Sequence, residues 1–385
     1  MKYKLKEICT VITDGSHWSP QACDDGYPMF SVKDMLEYGF SYENCKRISI
    51  ADFEKMKSSG CVPQKGDVLI AKDGSYLKEI FVCDETREEA ILSSIAIFRP
   101  NQRIVTPEYL CYLLKSPKVY NYIKDNCVSG SAVPRIVLKT FKEVEMDVPD
   151  LVTQKKRCSI LLSIDRKIQT NSKINGNLSD QAKALFKNMF PSAGKSDEAN
   201  GVLADIATIT MGQSPDGKSY NEEGAGAIFY QGRTEFGDRF PSVRLFTTEP
   251  KRMAEAGDIL MSVRAPVGDY NVATVSCCIG RGLASIRSIN GYSSFLLYTM
   301  DSLREQLNVF NGEGTVFGSI NQVALKSMPV WIPSVEEMGA FEQIAAPIDA
   351  AILNNWKENC RLIAMRDSLL PKLMSGELDV SEIEL

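Results

Sequence analysis

The stretch Ile164-Asp-Arg-Lys-Ile-Gln-Thr-Asn-Ser-Lys-Ile-Asn175 returns in outline further along the chain, as Ile348-Asp-Ala-Ala-Ile-Leu-Asn-Asn-Trp-Lys-Glu-Asn359. The two copies lie 184 positions apart, and this offset holds without a gap across residues 130–189, where 13 of 60 residues are identical. Unrelated segments of ordinary composition would share about 6% of their positions. The chain of 385 residues therefore contains an internal duplication.

The duplication extends towards the N-terminus of each copy. Leu5-Lys-Glu-Ile8 corresponds to Leu203-Ala-Asp-Ile206 at an offset of 198, and Gly66-Asp-Val-Leu-Ile-Ala71 corresponds to Gly257-Asp-Ile-Leu-Met-Ser262 at 191. The offset falls along the chain, so the second copy has shorter loops, where length changes are best tolerated.

The first part of each copy is predicted to be a globular domain of mixed helix and sheet. Short apolar segments alternate there with Gly, Pro, Asn and Asp, which is typical of strands joined by turns. One helix is predicted in each set, at Pro107–Asn126 and at Ser293–Phe310. The fold class that follows is α+β, with two related globular domains.

The second part of each copy is predicted to be a long helix whose apolar face follows a heptad pattern. The predicted seam residues are Leu161, Ile164, Ile168, Asn171, Asn175 and Leu178 in the first helix, and Ile348, Ile352, Asn355, Asn359 and Leu362 in the second, with Arg366 on the same frame. Each helix could pack only on its own domain. The two asparagines at matching places favour a pairing of the two helices as an antiparallel coiled coil, since a buried Asn is best known for fixing register.

The predicted organisation divides the chain into six parts. They are a first globular domain (1–150), a long central helix (151–190), a polar linker (191–201), a second globular domain (202–334), a long C-terminal helix (335–376) and a tail (377–385).

Composition argues against several classes of protein. The only histidine is His17, and the eleven cysteines form no C-x-x-C pair, which indicates reduced thiols and no zinc framework. No Walker, dinucleotide-binding, zinc-protease or serine-hydrolase motif occurs, so neither a catalytic site nor a metal site is predicted. No apolar run reaches the ~18 residues of a membrane span, and we expect a cytoplasmic protein. A net charge of −5 also means that any nucleic-acid binding must depend on local groups or on partners.

Four segments of the second copy carry a family resemblance. Leu203–Ser214, Gly257–Gly268, Cys278–Ile286 and Gly314–Ile320 resemble the DNA specificity subunit of type I restriction–modification systems. The resemblance covers essentially the whole chain, including the duplicated layout. The first copy departs from it, because Ala71–Ser75 replaces an Arg-x-Pro-x-Gly turn.

The resemblance implies a non-catalytic targeting subunit. Each globular domain would be a target recognition domain that reads one half of an asymmetric, bipartite site in double-stranded DNA. The paired helices would set the spacing between the half-sites and would dock two modification methyltransferase subunits. Those subunits, and not this chain, would bind S-adenosylmethionine, and restriction translocase subunits are a further partner that the family allows.

Candidate DNA contacts lie after strand ends and in Gly-rich turns. Arginine is the side chain that most often contacts guanine, and glutamine can pair with adenine. For each candidate residue the competing interpretation is a structural role, in a surface ion pair, a turn or the core. In the second domain the candidates are Gln213, Ser214, Tyr220, Gln231, Arg233, Arg264, Arg281, Thr315, Phe317 and Ser319. In the first domain they are Ser16, His17, Trp18, Lys72, Ser75, Tyr76, Lys78 and Arg135.

Three alternatives remain open from the sequence. A bivalent protein-binding adaptor would have no effect on DNA methylation. An enzyme of unrecognised type would need a cleft with perturbed carboxylates, for which Asp67 and Asp258 are candidates, although Gly-Asp is more typical of a turn. A specificity subunit could also serve a methylation-only or allele-switching system.

Overall fold

The structure is a computed structural model that describes residues 1–74, 76–129, 134–312 and 318–383. The chain divides into two compact units. Unit 1 comprises Met1–Thr170 with Glu358–Leu385, and unit 2 comprises Asn171–Lys357. Each long helix therefore contributes one segment to each unit.

The first copy contains thirteen strands and six helices among the described residues. The strands are β1 (Lys2–Lys4), β2 (Cys9–Asp14), β3 (Tyr27–Phe30), β4 (Met35–Leu36), β5 (Gly39–Phe40), β6 (Lys46–Ile48), β7 (Val68–Ala71), β8 (Ile80–Val82), β9 (Ala90–Ile91), β10 (Ile95–Pro100), β11 (Val128–Ser129), β12 (Arg135–Ile136) and β13 (Glu145–Asp147). The helices are α1 (Leu5–Ile8), α2 (Ile50–Ser58), α3 (Pro107–Lys115), α4 (Pro117–Asn126), α5 (Leu138–Phe141) and α6 (Leu151–Met189).

The second copy is built in the same way. Its strands are β14 (Gly201–Val202), β15 (Ala207–Met211), β16 (Tyr220–Asn221), β17 (Ala227–Tyr230), β18 (Phe246–Thr247), β19 (Met253–Ala254), β20 (Ile259–Ser262), β21 (Tyr270–Val272), β22 (Cys277–Ile279), β23 (Leu283–Ser288) and β24 (Pro329–Val330). Its helices are α7 (Leu203–Ile206), α8 (Ser293–Ser302), α9 (Arg304–Asn308), α10 (Gln322–Lys326) and α11 (Val335–Ser375).

A four-stranded antiparallel sheet organises each unit. Its strand order is β2-β10-β7-β8 in unit 1 and β15-β23-β20-β21 in unit 2, so the same topology occurs twice. The central strand β7 is a continuous apolar run, and all four of its residues are buried, as expected for a strand covered on both faces. The predicted α+β fold class with an internal duplication is confirmed.

The helix predicted over residues 107–126 is interrupted. Helix α3 ends at Lys115 and α4 begins at Pro117, because Pro117 has no N–H to donate and Ser116 before it is extended (φ −64°, ψ 138°). Its counterpart at 293–310 is likewise divided into α8 and α9, with Leu303 between them. The prediction of one unbroken helix in each copy was wrong; in the first copy the signal of Pro117 was overlooked in favour of the apolar periodicity.

The two long helices run antiparallel within each unit. In unit 1 the Asn359 amide donates to the Ile168 carbonyl (3.3 Å), and Arg157 reaches the Met374 carbonyl (3.4 Å), so positions rise along α6 as they fall along α11. The apolar residues of these segments join the core of unit 1. The segments therefore pack on each other and on the globular part.

Asparagines bond across the helix pair in unit 2 as well. The Asn175 amide donates to the Ile352 carbonyl (3.1 Å), and the Asn355 amide donates to the Asn175 side-chain oxygen (2.9 Å). Among the predicted seam residues, Leu161, Ile164, Ile168, Asn171, Ile352 and Asn359 are buried, and Asn175, Leu178, Ile348, Asn355 and Leu362 are half-buried. Hydrogen bonding of the seam amides is what makes polar residues tolerable there.

Candidate nucleic-acid interface

Loops of unit 2 meet at one end of its four-stranded sheet, where β15 and β20 end and β23 begins. The backbone N–H of Val263 donates to the Gly282 carbonyl, and that of Ala265 donates to the Gly318 carbonyl, both at 3.0 Å. The loops are residues 212–214, 231–233, 263–266, 280–282 and 318–320. We refer to them together as the loop edge of unit 2.

Glycine permits the close approach of these loops. A Cβ atom at Gly212 would lie 2.1 Å from the Gly280 carbonyl oxygen, and one at Gly280 would lie 2.9 Å from the Gln231 backbone. Both distances are too short for any side chain, so the sequence needs glycine at these places. The glycines around Arg281 therefore bring its loop against the loops of Gln213 and Gln231.

Two arginines of this edge carry unbalanced charge. Arg264 and Arg281 are exposed, and within the described ranges neither guanidinium is in an ion pair. Arg233, also at the edge, pairs with Asp269 at 2.5 Å. An exposed guanidinium without a carboxylate partner keeps its fork of donors available for a ligand.

Glutamine side chains accompany these arginines. Gln213 and Gln231 are exposed, and the Ser214 hydroxyl accepts a hydrogen bond from the Arg281 backbone (3.2 Å). Ser319 is exposed and forms an isolated strand bridge with Arg264. The edge thus brings most of the predicted residues of the second domain together.

The other candidates of the second domain are placed differently. Tyr220 is half-buried, its hydroxyl donates to the Pro215 carbonyl (3.1 Å), and its ring packs against Phe229 at a centroid distance of 4.8 Å. Tyr220 therefore has a structural role in its loop. Thr315 and Phe317 lie outside the described residues.

Unit 1 has an equivalent loop edge, formed by residues 14–17, 72–74, 93–94 and 134–135. The Lys72 N–H donates to the Ser94 carbonyl and the Gly74 N–H to the Pro134 carbonyl, both at 2.8 Å. Asp73 and Arg135 form an isolated strand bridge here. Ser16, His17 and Arg135 all belong to this edge.

Carboxylates hold the cations of this edge. The Lys72 ammonium is buried and lies 2.5 Å from Asp14, which is also 3.4 Å from the exposed His17 ring. Arg135 pairs with Asp73 at 3.2 Å. Lys72 therefore stabilises the turn and does not present its charge at the surface, which argues against the DNA contact predicted for it.

The remaining candidates of unit 1 lie beside this edge. The ammonium of Lys55 lies 4.0 Å from the centre of the Trp18 ring, a cation–π contact on a partly exposed indole. Tyr76 packs against the core, and the exposed Lys78 lies 3.7 Å from Glu79. Ser75 lies outside the described residues.

Sequence reasoning missed the acidic residues of the interface. Asp14, Asp73 and Asp269 each pair with a predicted DNA-contacting cation. Asp73 could have been found from the sequence, because the offset of 191 between the copies aligns it with the predicted DNA contact Arg264. No sequence signal connects Asp14 with Lys72, because their contact depends on β10 pairing with both β2 and β7 in the folded sheet.

The Gly-Asp carboxylates belong to structural ion pairs. Asp67 is fully buried and accepts two hydrogen bonds from Arg99 (2.7 and 2.9 Å), and Asp258 accepts two from Arg287 (2.6 and 2.8 Å). Hydrogen bonding to Asp67 raises the pKa of Arg99. Bidentate pairing of this kind fixes two adjacent strands and leaves the carboxylates engaged.

A second duplicated cluster connects each globular part to the long helices. In unit 1 the Asp165 carboxylate accepts hydrogen bonds from Tyr112 (2.5 Å), Tyr38 (2.8 Å) and Arg366 (3.1 Å), and Arg366 also bonds Glu37. Burial alone would lower the pKa of the Arg366 guanidinium, but attraction to Glu37 and the hydrogen bonds of the cluster raise it overall.

Unit 2 repeats this cluster with a different arginine. Asp349 accepts a hydrogen bond from Tyr298 (2.8 Å) and pairs with Arg239 (2.6 Å). Asp349 and Tyr298 are the counterparts of Asp165 and Tyr112. The arginine comes from a loop of the globular part here, whereas in unit 1 it comes from α11.

The residues that the structure describes contain neither a metal-binding cluster nor a membrane-spanning helix. No group of three or more His, Cys, Asp or Glu side chains there is placed to hold a metal ion. No helix there has the length and apolar character needed to cross a membrane.

Comparison with known proteins agrees with this architecture. The model of the type I restriction modification DNA specificity domain matches the chain twice, at residues 1–179 and 197–359. The two matches together span most of the chain, and each contains one loop edge. The chain belongs to this family of DNA specificity domains.

Individual relatives resemble the chain over nearly its whole length. A putative type I restriction enzyme MjaX specificity subunit from Methanocaldococcus jannaschii is 29% identical over 411 residues, covering 98% of this chain and 93% of that protein. The HindI specificity subunit of Haemophilus influenzae is 24% identical and covers 82% and 87%. The crystal structure of a type I S subunit from M. genitalium matches with a TM-score of 0.57 at 16% identity, covering 97% and 95%, which supports the fold alone.

Proposed function

We propose that this chain is the specificity subunit of a type I restriction–modification complex, and that each loop edge reads one half of an asymmetric, bipartite site in double-stranded DNA. The observation that carries the proposal is the loop edge of unit 2. Among the residues that the structure describes, Arg264 and Arg281 form no ion pair there, and Gln213 and Gln231 are exposed on loops of the same edge. These side chains supply the donor forks and amides that recognise guanine and adenine in the major groove.

The charge distribution supports a local reader and not a general DNA-binding surface. The chain as a whole carries a net charge of −5, so its overall charge does not attract phosphates. The exposed guanidinium groups of Arg264 and Arg281 on one loop edge still provide a local cationic site. Additional phosphate contacts would come from partner subunits, which explains why an acidic chain can serve as the sequence reader.

The same proposal assigns the partners. Two modification methyltransferase subunits would dock on α6 and α11, bind S-adenosylmethionine and methylate adenine, while restriction translocase subunits could join that complex. This chain would catalyse nothing and would act on cytoplasmic DNA. Exposed apolar side chains on the long helices, at Ile174, Ile344 and Met365, are suited to a docked protein.

The test is reconstitution of the full chain with its methyltransferase subunits, followed by sequencing of methylated adenines. Arg264→Gln and Arg281→Gln remove charge from the loop edge of unit 2. Each variant should lower discrimination at one base pair of one half-site by roughly 5- to 150-fold. Arg103→Gln is the matched control, because Arg103 is exposed and follows the far end of β10.

Three outcomes are distinguishable. Loss of discrimination in the edge variants, with an unchanged motif in the control, supports the proposed function. Methylation of the same motif at the same rate in all variants would overturn the assignment of the edge. A reconstituted complex whose methylation does not depend on this chain would overturn the function itself and favour a protein-binding adaptor.

A further inference from the structure

The two loop edges differ at one equivalent strand bridge. In unit 2 the bridge joins Arg264 to Ser319, and in unit 1 it joins Asp73 to Arg135. The offsets of 191 and 184 that relate the copies make Asp73 the counterpart of Arg264 and Arg135 the counterpart of Ser319. The arginine therefore lies on opposite sides of the bridge in the two copies, and in unit 1 the residue opposite the arginine is an aspartate.

The Asp73 carboxylate retains hydrogen-bonding capacity. Its Oδ1 atom lies 3.2 Å from the Arg135 Nε atom, but it is buried and accepts no hydrogen bond from the part of the chain that the structure describes. A carboxylate can accept about four hydrogen bonds, and leaving a buried oxygen without one is costly. The Arg135 side chain is 58% exposed, so it can turn towards a ligand and uncover the carboxylate.

The charges of the unit 1 edge are balanced among the described residues. Asp14 and Asp73 offset Lys72 and Arg135, and Ser93 stands where the offset of 188 places Arg281 in unit 2. A balanced edge attracts phosphates weakly, because each carboxylate repels them. The chemistry of this edge is better suited to the edges of bases than to the phosphate backbone.

We infer that Asp73 and Arg135 together read one cytosine–guanine base pair in the half-site that unit 1 binds. This inference rests on the proposed function and names the base pair that the edge recognises. In the major groove the cytosine N4 amine is a donor, while guanine O6 and N7 are acceptors. An adjacent carboxylate and guanidinium present the matching acceptor and donor.

The pair would also reject the other base pairs. Thymine has an acceptor, O4, where cytosine has its amine, so it would face the Asp73 carboxylate without a donor. A polar site that is left unpaired by the wrong ligand discriminates strongly, because its desolvation is not compensated. Unit 2 has no carboxylate at the equivalent position, so its half-site follows a different rule.

The experiment uses the full chain reconstituted with its methyltransferase subunits and a set of duplexes in which every base pair of both half-sites is varied in turn. The variants are Asp73→Asn, which keeps the side-chain shape but adds a donor, and Arg135→Gln. Each should reduce discrimination at one C·G position of the unit 1 half-site by roughly 5- to 150-fold. All positions of the other half-site should keep their wild-type discrimination.

Arg264→Gln is the matched control at the equivalent bridge and should affect only the other half-site. Wild-type discrimination at every unit 1 position in both variants, or a half-site without a C·G pair, would overturn the inference while the control still supports the proposed function. Methylation that ignores sequence in the wild-type complex would instead overturn the proposed function. Arg135 is exposed, so Arg135→Gln keeps the test valid even where Asp73→Asn fails to fold.

Discussion

Arg366→Met tests whether the cluster around Asp165 holds unit 1 together. The Arg366 side chain is 14% exposed and the Asp165 side chain 7%, so the substitution leaves a carboxylate buried without its cation. Removing one partner of a buried ion pair costs ~3–5 kcal/mol of unfolding free energy. We expect about 3 kcal/mol, since the hydroxyls of Tyr112 and Tyr38 still donate to Asp165.

The assay is thermal unfolding of the full chain, followed by calorimetry. For a unit of this size, 1 kcal/mol corresponds to a change of roughly 2–4 °C in Tm, so the transition that includes unit 1 should fall by roughly 6–12 °C. Arg361→Met is the matched control, because Arg361 is exposed on the same helix and its loss should change stability by less than about 0.5 kcal/mol.

A double variant separates the charge from the packing. Asp165→Asn combined with Arg366→Met removes both charges, so it should recover part of the stability that Arg366→Met loses. Equal Tm values for Arg366→Met and Arg361→Met would refute the reasoning. No recovery in the double variant would show that the volume of the arginine, and not its charge, matters.

Three further predictions concern titration, spacing and modularity. Burial raises the pKa of Glu89 above its unfolded value, so the free energy of unfolding falls as pH rises from about 4.5 through the folded-state pKa. Glu89→Gln can still accept the hydrogen bond from Tyr42. This variant should raise Tm at pH 7 and flatten this part of the Tm–pH curve. Inserting four residues between positions 170 and 181 adds about 6 Å of helix, so methylation sequencing should find a changed half-site spacing with unchanged half-sites, and retained spacing would count against the helices as spacers. Replacing residues 201–333 with the equivalent domain of a relative should change one half-site only; a change in both would contradict independent readers.

The duplication and the long helices could be predicted because they depend on local periodicity and on matches at a constant offset. A seam with Asn175 and Asn359 is visible in one sequence, since each residue marks a position on a heptad frame. The break at Ser116 was also visible as a residue preceding proline, but the apolar periodicity on both sides concealed it. Local sequence patterns therefore predicted the architecture, except at Ser116, where the apolar periodicity and the following proline gave conflicting predictions.

The ion-pair partners could not be predicted, because they depend on contacts between distant parts of the chain. Lys72 follows a strand in the sequence just as a surface-exposed reader would, and only its approach to Asp14 withdraws its charge from the surface. Arg366 occupies a seam position by periodicity, yet its guanidinium bonds Tyr38 and Asp165 in unit 1. A heptad pattern predicts where a side chain lies on the helix, but it does not predict which residue will form an ion pair with it.

The two copies keep one set of charges and redistribute another, and this contrast separates scaffold from reader. The pairs Asp67–Arg99 and Asp258–Arg287 stand at matching positions and brace the same two strands in each unit. At the equivalent bridge of the loop edges the arginine lies on opposite sides in the two copies, and only the bridge of unit 1 includes a carboxylate. These two ion pairs connect adjacent strands whose geometry is the same in both sheets, so the fold requires the charged residues at these positions. The charges of the loop edge are not needed for strand pairing, so they can differ between the copies without disturbing the sheet. A duplicated chain can in this way keep the same four-stranded sheet in both units and still present different side chains at its two loop edges.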